Sequence, residues 1–184
     1  MSLLLLALAA LAGVVIWFIG GFNKFVHLKA LVDEAWSGID VQLKRRYDLI
    51  PNLVAVVKQY ATHEKSIFED IARARSRAIN AQGVEDKASA ESGLTQTLKT
   101  LFAVAENYPN LKANENFLSL QQDLGAIENE IQLSRRYYNG AARNYNVAVT
   151  TFPARLIAAA SGYHAVPYFE LNTAAERENP QITF

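Results

Sequence analysis

Residues Leu3 to Phe22 carry no charged side chain, and the first charge beyond them is Lys24. At a rise of ~1.5 Å per residue, a helix over this run reaches ~30 Å, the thickness of a bilayer's hydrocarbon core. The run therefore constrains the chain to one membrane helix over residues 1–23, with the remaining mass in water on one side. A cleavable signal peptide is the competing reading, but it wants a basic start, a shorter apolar centre and small residues at the cut. Here only Met1 and Ser2 precede the run, and Ala7-Leu8-Ala9 lies inside it, so a retained helix is expected. Trp17, Phe18, Phe22 and Phe25 gather beside Lys24 at its far end, as aromatic and basic residues do at a headgroup boundary. Ala9 and Gly13 have the spacing of close helix contact in a membrane, a spacing that chance also produces in apolar helices.

Lys24 and Lys29 follow the run closely, with Lys44, Arg45 and Arg46 further on, and nothing basic precedes it except the terminus. The positive-inside rule then makes the C-terminal body cytoplasmic. Residues 24–161 fit one domain, large enough for a hydrophobic core. Eighteen basic and eighteen acidic residues cancel, so no general attraction to nucleic acid is implied. The chain has no cysteine, which excludes disulfides, thiolate metal sites and a lipid-modified N-terminal cysteine.

The body shows helical periodicity throughout. Leu28, Leu31, Val32, Ala35, Trp36, Ile39, Leu43 and Tyr47 recur at three- and four-residue steps, and Pro51 predicts a stop with a reversal of the chain. A second helix then carries Val54, Val57, Ala61, Phe68, Ile71 and Ala78, and a third runs from about Glu85 to Asn107 with Leu94, Leu98, Leu101, Phe102 and Ala105 facing in. The fourth carries a heptad seam of Phe117, Leu120, Leu124, Ile127, Ile131, Ser134, Tyr138, Ala141, Tyr145, Ala148 and Phe152. Ala154 to Ala160 add a short final helix. The fold is thus all-α: a single transmembrane helix, a long antiparallel four-helix bundle, and an extended C-terminal tail over residues 162–184. In that tail Tyr168, Phe169 and Leu171 are expected to dock on the bundle or on a neighbouring chain, and the last dozen residues to be loose.

Catalytic chemistry is hard to assemble from these residues. None of His27, His63 and His164 follows a glutamate at the Glu-x-x-His spacing of a di-iron bundle. His63-Glu64 opens like a zinc-protease motif, but Ile67 stands where the second histidine belongs. No glycine-rich phosphate loop occurs. No cofactor or metal is expected, and the chain reads as non-enzymatic. Two polar patterns remain. Arg136, Asn139, Arg143, Asn146 and Thr150 form a stripe beside the heptad seam, and Asp33, Asp40, Lys44 and Asp48 form one on the first helix. These either meet, as an Asp40–Arg143 pair that fixes register, or are solvated helix edges. Tyr137, off the seam, is a candidate for partner contact, whereas Tyr138 and Tyr145 lie on it.

The stretch from Val32-Asp33-Glu34-Ala35-Trp36 through Arg45-Arg46-Tyr47-Asp48-Leu49-Ile50-Pro51-Asn52-Leu53-Val54 resembles the LemA family of bacterial membrane-anchored helical proteins. The match continues through Tyr108-Pro109-Asn110-Leu111-Lys112-Ala113, Arg136-Tyr137-Tyr138-Asn139, Tyr145-Asn146, Phe152-Pro153 and Tyr168-Phe169-Glu170. Ala141-Ala142 replaces the family's Ala-Val. The resemblance implies one N-terminal membrane helix, a helical bundle, the bacterial inner membrane, and a role in membrane organisation, envelope stress or membrane proteases. It supplies no catalytic residue. Some relatives are lipid-anchored outside the cytoplasm, and the lack of cysteine argues against that here.

Two functions follow as expectations. One is a scaffold bound to the lipid bilayer and self-assembling into a homo-oligomer. The other is an adaptor recruiting a membrane protein such as an envelope-stress metalloprotease. Orientation is testable at once: single cysteines introduced into the body should resist a membrane-impermeant thiol reagent in intact cells, and labelling there would place the body outside.

Overall fold

The computed structural model describes residues 2–170. Among them lie six helices and no strand: α1 (Ser2–Lys58), α2 (Lys65–Asn80), α3 (Gly83–Ala105), α4 (Pro109–Lys112), α5 (Glu115–Thr150) and α6 (Ala154–Ser161). The chain forms two compact units, the first of residues 2–39 and 134–168, the second of residues 40–133 and 169–170. Both α1 and α5 contribute to each unit. The all-α architecture with its long apolar N-terminal helix is as the periodicity predicts, and the extended segment after α6 is free of regular structure through Glu170.

In the first unit α1 packs against α5 and α6. Phe25, Val32, Ala35 and Ile39 are buried from α1, Tyr138, Ala142 and Tyr145 from α5, and Ile157 and Ala158 from α6. The α5 seam is buried or half-buried as far as Ala148, but its last member, Phe152, is 69% exposed because the helix ends at Thr150. An 18-residue apolar window of α1 is covered by no part of the protein. In the second unit the end of α1, α2, α3 and the start of α5 bury Leu43, Leu53, Ile71, Leu94, Leu101 and Phe117 around a shared core. Helix ends there are closed by side chains. Lys87 Nζ donates to the Ala78 carbonyl at 2.9 Å at the end of α2, and Asn114 Oδ1 accepts the Phe117 N–H at 3.0 Å at the start of α5.

Pro51 does not reverse the chain. The helix runs through it to Lys58. Proline removes the N–H that would bond the carbonyl four residues earlier, and its ring crowds that same carbonyl. The carbonyl in question belongs to Tyr47, and Arg75 Nε of α2 donates to it at 2.9 Å. A side chain from the neighbouring helix thus replaces the bond that proline deletes, and the helix continues. The break comes later, between Lys58 and Lys65. There Tyr60 Oη accepts from Asn114 Nδ2 at 3.1 Å and Glu64 accepts from Tyr108 Oη at 3.1 Å, so this corner is tied to the α4 turn.

Arg75→Ala orphans a part-buried carbonyl and is expected to destabilise the protein by about 1–2 kcal/mol. Restoring the backbone donor with Pro51→Ala should reduce that loss by at least half. Chemical unfolding of the four proteins of this double-mutant cycle reads the coupling, and additive effects would break the proposed replacement.

Candidate functional site

The first unit holds a junction at the end of the apolar run. A Cβ at Gly21 would overlap Ile157 Cδ1, so the glycine is what admits α6 against α1. Gly162 ends α6 in the left-handed conformation at φ 74°, which glycine adopts without a side-chain penalty, and Tyr163 follows. Its ring stacks on Phe25 with centroids 5.3 Å apart, and approaches Phe22 at 6.1 Å and Tyr145 edge-on at 6.4 Å. The chain beyond is held to α5 by two side chains. Asn146 Nδ2 donates to the Val166 carbonyl and Asn146 Oδ1 accepts the Val166 N–H, both at 2.8 Å, an amide standing in for a neighbouring strand. Tyr138 Oη donates to the Pro167 carbonyl at 2.9 Å, while its ring meets Trp36 at 5.5 Å. Burial pushes the Tyr138 and Tyr145 hydroxyls up, and the nearby Asp33 charge adds to both shifts. Tyr138 acts here as a neutral donor.

The second unit centres on a buried cation. Arg46 is 5% exposed and Glu91 4%. Arg46 Nη1 donates to Glu91 Oε2 at 3.2 Å and lies 3.4 Å from Glu128 Oε2, and Nη2 donates to Thr95 Oγ1 at 2.8 Å. One guanidinium therefore joins α1, α3 and α5. Burial raises the Glu91 carboxyl above its ordinary value, with the Tyr47 hydrogen bond and the Arg46 charge pulling the other way. Tyr47 Oη reaches both Glu91 and, at 3.3 Å, the Ala78 carbonyl. An ionised Glu91 accepts the Tyr47 proton. A protonated Glu91 donates to the phenol oxygen instead, which then donates to Ala78. Both states are satisfied. Beside the network, α3 and α5 frame an open cleft of about 540 Å³ lined by Thr95, Gln96, Lys99, Gln121 and Glu128. Among the described residues no three His, Cys, Asp or Glu side chains gather as a metal site.

The LemA family model matches residues 35–184. The chain belongs to the LemA family. Its match begins past the apolar run, at the α1 face that carries Trp36 and Arg46. Magnetosome protein MamQ of Magnetospirillum gryphiswaldense is 26% identical over 88% of this chain and 70% of its own length. Magnetosome protein MamQ 2 of Paramagnetospirillum magneticum is 27% identical over 88% and 68%. Protein LemA of Metamycoplasma hominis is 25% identical over 83% and 70%.

On this LemA-family fold the residues singled out in the sequence fall in different places. Ala9, Gly13, Trp17, Phe18 and Lys24 are exposed on α1, while Phe22 touches Tyr163. Asp40 has the Lys87 ammonium as its charged neighbour, though burial still raises its carboxyl. It belongs to the second unit and Arg143 to the first. Arg136, Tyr137 and Arg143 are exposed on α5. Phe169 is buried, Tyr168 is 38% exposed, and Leu171 with the rest of the tail lies outside the described residues. The periodicity reading missed the Arg46–Glu91 pair, the Asn146 clamp and the Gly21 approach. The first had a visible signal: Arg46 sits on the apolar stripe between Leu43 and Ile50, and Glu91 on that of Leu94, Leu98 and Leu101.

A raised folded-state pKa at Glu91 favours the folded chain at low pH, where the carboxyl is protonated in both states. As pH rises past the ordinary value of 4.5, the unfolded chain ionises first, and that contribution falls until the folded pKa is passed. Glu91→Gln removes it. The stability of wild type relative to Glu91→Gln, measured by unfolding from about pH 4 to 8, should decline with pH and then level. A difference that grows with pH would mean Arg46 holds the carboxylate ionised.

Proposed function

We propose that this protein is a non-enzymatic scaffold, anchored by its apolar helix in a bacterial inner membrane with the body in the cytoplasm. Copies of it assemble into a homo-oligomer that organises or remodels that membrane. The observation that carries this reading is the outer face of α5. Tyr137 is 54% exposed and Val147 56%, and with Gly140 and Asn144 between them they step by three and four along the helix. This is a second three–four stripe, about 100° round the helix from the buried seam because each member precedes a seam residue by one position, and it is flanked by the exposed Arg136 and Arg143. Such a stripe on a long helix suits knobs-into-holes packing against another helix. A common membrane anchor gives all copies one orientation and a high effective concentration, so a modest stripe is enough. Basic side chains on α5 and the exposed Asp33 and Glu34 on α1 favour a heterologous contact, in which different faces of two copies meet and a ring or filament grows.

The ionisable groups that do converge, Arg46, Glu91 and Tyr47, satisfy one another, which supports a structural rather than a catalytic role. Two relatives carry the name magnetosome protein, which supports placing this chain with proteins of a cellular structure.

Full-length protein purified in mild detergent should run as a defined homo-oligomer by mass measurement. The paired change Tyr137→Ala and Val147→Asp, at exposed positions that leave the core alone, should raise the concentration needed for assembly at least about tenfold, or ~1.4 kcal/mol. A monomer co-purifying with one foreign membrane protein would overturn self-assembly in favour of an adaptor. Asp40 and Tyr168 would then be the next positions to change.

A further inference from the structure

Helix α6 and the residue after its cap pack on the last turn of the apolar run. Ile157 fills the space beside Gly21, and Tyr163 packs on Phe22 and Phe25. Gly21 and Phe22 form the last turn of the uncharged run, so a helix ~10 Å across that touches them sits within a turn of the hydrocarbon boundary. What α6 leaves uncovered suits that position. Leu156 is 54% exposed and Phe152, at the corner before α6, is 69% exposed, with Val26 of α1 at 46%. Arg155 stands exposed between Phe152 and Leu156. Apolar and aromatic side chains interleaved with a basic one are the composition of a segment lying in a membrane interface.

Charge distribution is the second observation. The whole chain is neutral, yet residues 131–169 contain Arg135, Arg136, Arg143 and Arg155 and not one aspartate or glutamate. All four arginines belong to the first unit, the one that carries the apolar run. Arg155 stands at the corner itself, whereas the other three lie ~14–26 Å further along α5 at ~1.5 Å per residue, so Arg155 is the one within a Debye length of anionic headgroups at that corner. An 18-residue apolar window of α1 is bare of protein cover and only the last turn, at Gly21 and Phe22, meets α6 and Tyr163, so lipid around the window reaches what packs against that turn. The candidate occupant of the Phe152–Leu156 surface is therefore the bilayer.

We infer that α6 and the corner before it form a foot in the headgroup layer, with Phe152 and Leu156 among the upper acyl carbons and Arg155 on lipid phosphate. This rests on reading residues 3–22 as a membrane span, and the test separates the two. Full-length protein in phosphatidylcholine–phosphatidylglycerol vesicles would carry one tryptophan at a time, with the native Trp17 and Trp36 otherwise replaced by phenylalanine. Trp17 alone reports the span, Leu156→Trp reports the foot, and Gln82→Trp, exposed in the second unit, reports the aqueous body. Lipids brominated on the upper acyl chain should quench Leu156→Trp roughly threefold more than Gln82→Trp, and iodide should quench it less. Trp17 quenched by deep bromines with Leu156→Trp as open to iodide as Gln82→Trp overturns the foot and leaves the span standing. Neither position quenched by lipid overturns both. Phe152→Trp, a ring-for-ring change at an exposed site, serves if Leu156→Trp does not fold, and is expected to give the same shallow quenching.

Discussion

Gly21 admits Ile157 into space that any larger residue would occupy, and the order of the first unit depends on that approach. With α6 seated there, the left-handed turn at Gly162 delivers Tyr163 onto Phe22, Phe25 and Tyr145. The chain then runs to where Asn146 and Tyr138 bind the backbone of Val166 and Pro167. A valine or leucine at Gly21 would force the Ile157 side chain out of its present position and loosen the packing of α6 on α1.

The second unit solves a different problem. Its four helices present similar apolar stripes, and similar stripes can slide past one another. A buried guanidinium bonded to Glu91 and Thr95 and facing Glu128 has one satisfied position. Glu128 still faces Arg46 if Glu91 is lost, and the intact pair contributes little beyond an apolar substitute. Its value here lies in register. Arg75 acts in the same spirit, spending a charged donor on the one carbonyl of α1 that Pro51 leaves without a partner.

Much of this was legible in advance. The α5 seam, with its strict three–four alternation, located a helix within two residues at each end, because a buried stripe on a long helix leaves a repeat that no loop imitates. The apolar run, α3 and α6 were legible for the same reason. Pro51 misled because proline's local effect is certain while its rescue comes from Arg75, far along the chain and invisible to any window. The Gly21–Ile157 approach joins segments far apart in the sequence and the Asn146 clamp reaches across a corner to Val166, and neither leaves a periodic trace. Arg46 and Glu91 stood in plain view as charges on apolar stripes, and helical patterning alone did not say which opposite charge answered which.

The division of the chain also sets an order of events. The second unit is built from the unbroken middle of the sequence, where α2 and α3 are neighbours joined by a short turn, so its contacts are local and close early. The first unit combines the beginning of the chain with its last helices. During synthesis the apolar run precedes the second unit, while Ile157, Tyr163 and Val166 follow it and α5. Until then Phe25 lacks the Tyr163 ring that stacks on it. Residues 157–166 thus complete the unit that carries the apolar run, and loss of that segment would leave α1 and α5 without the ring stack and the Asn146 clamp.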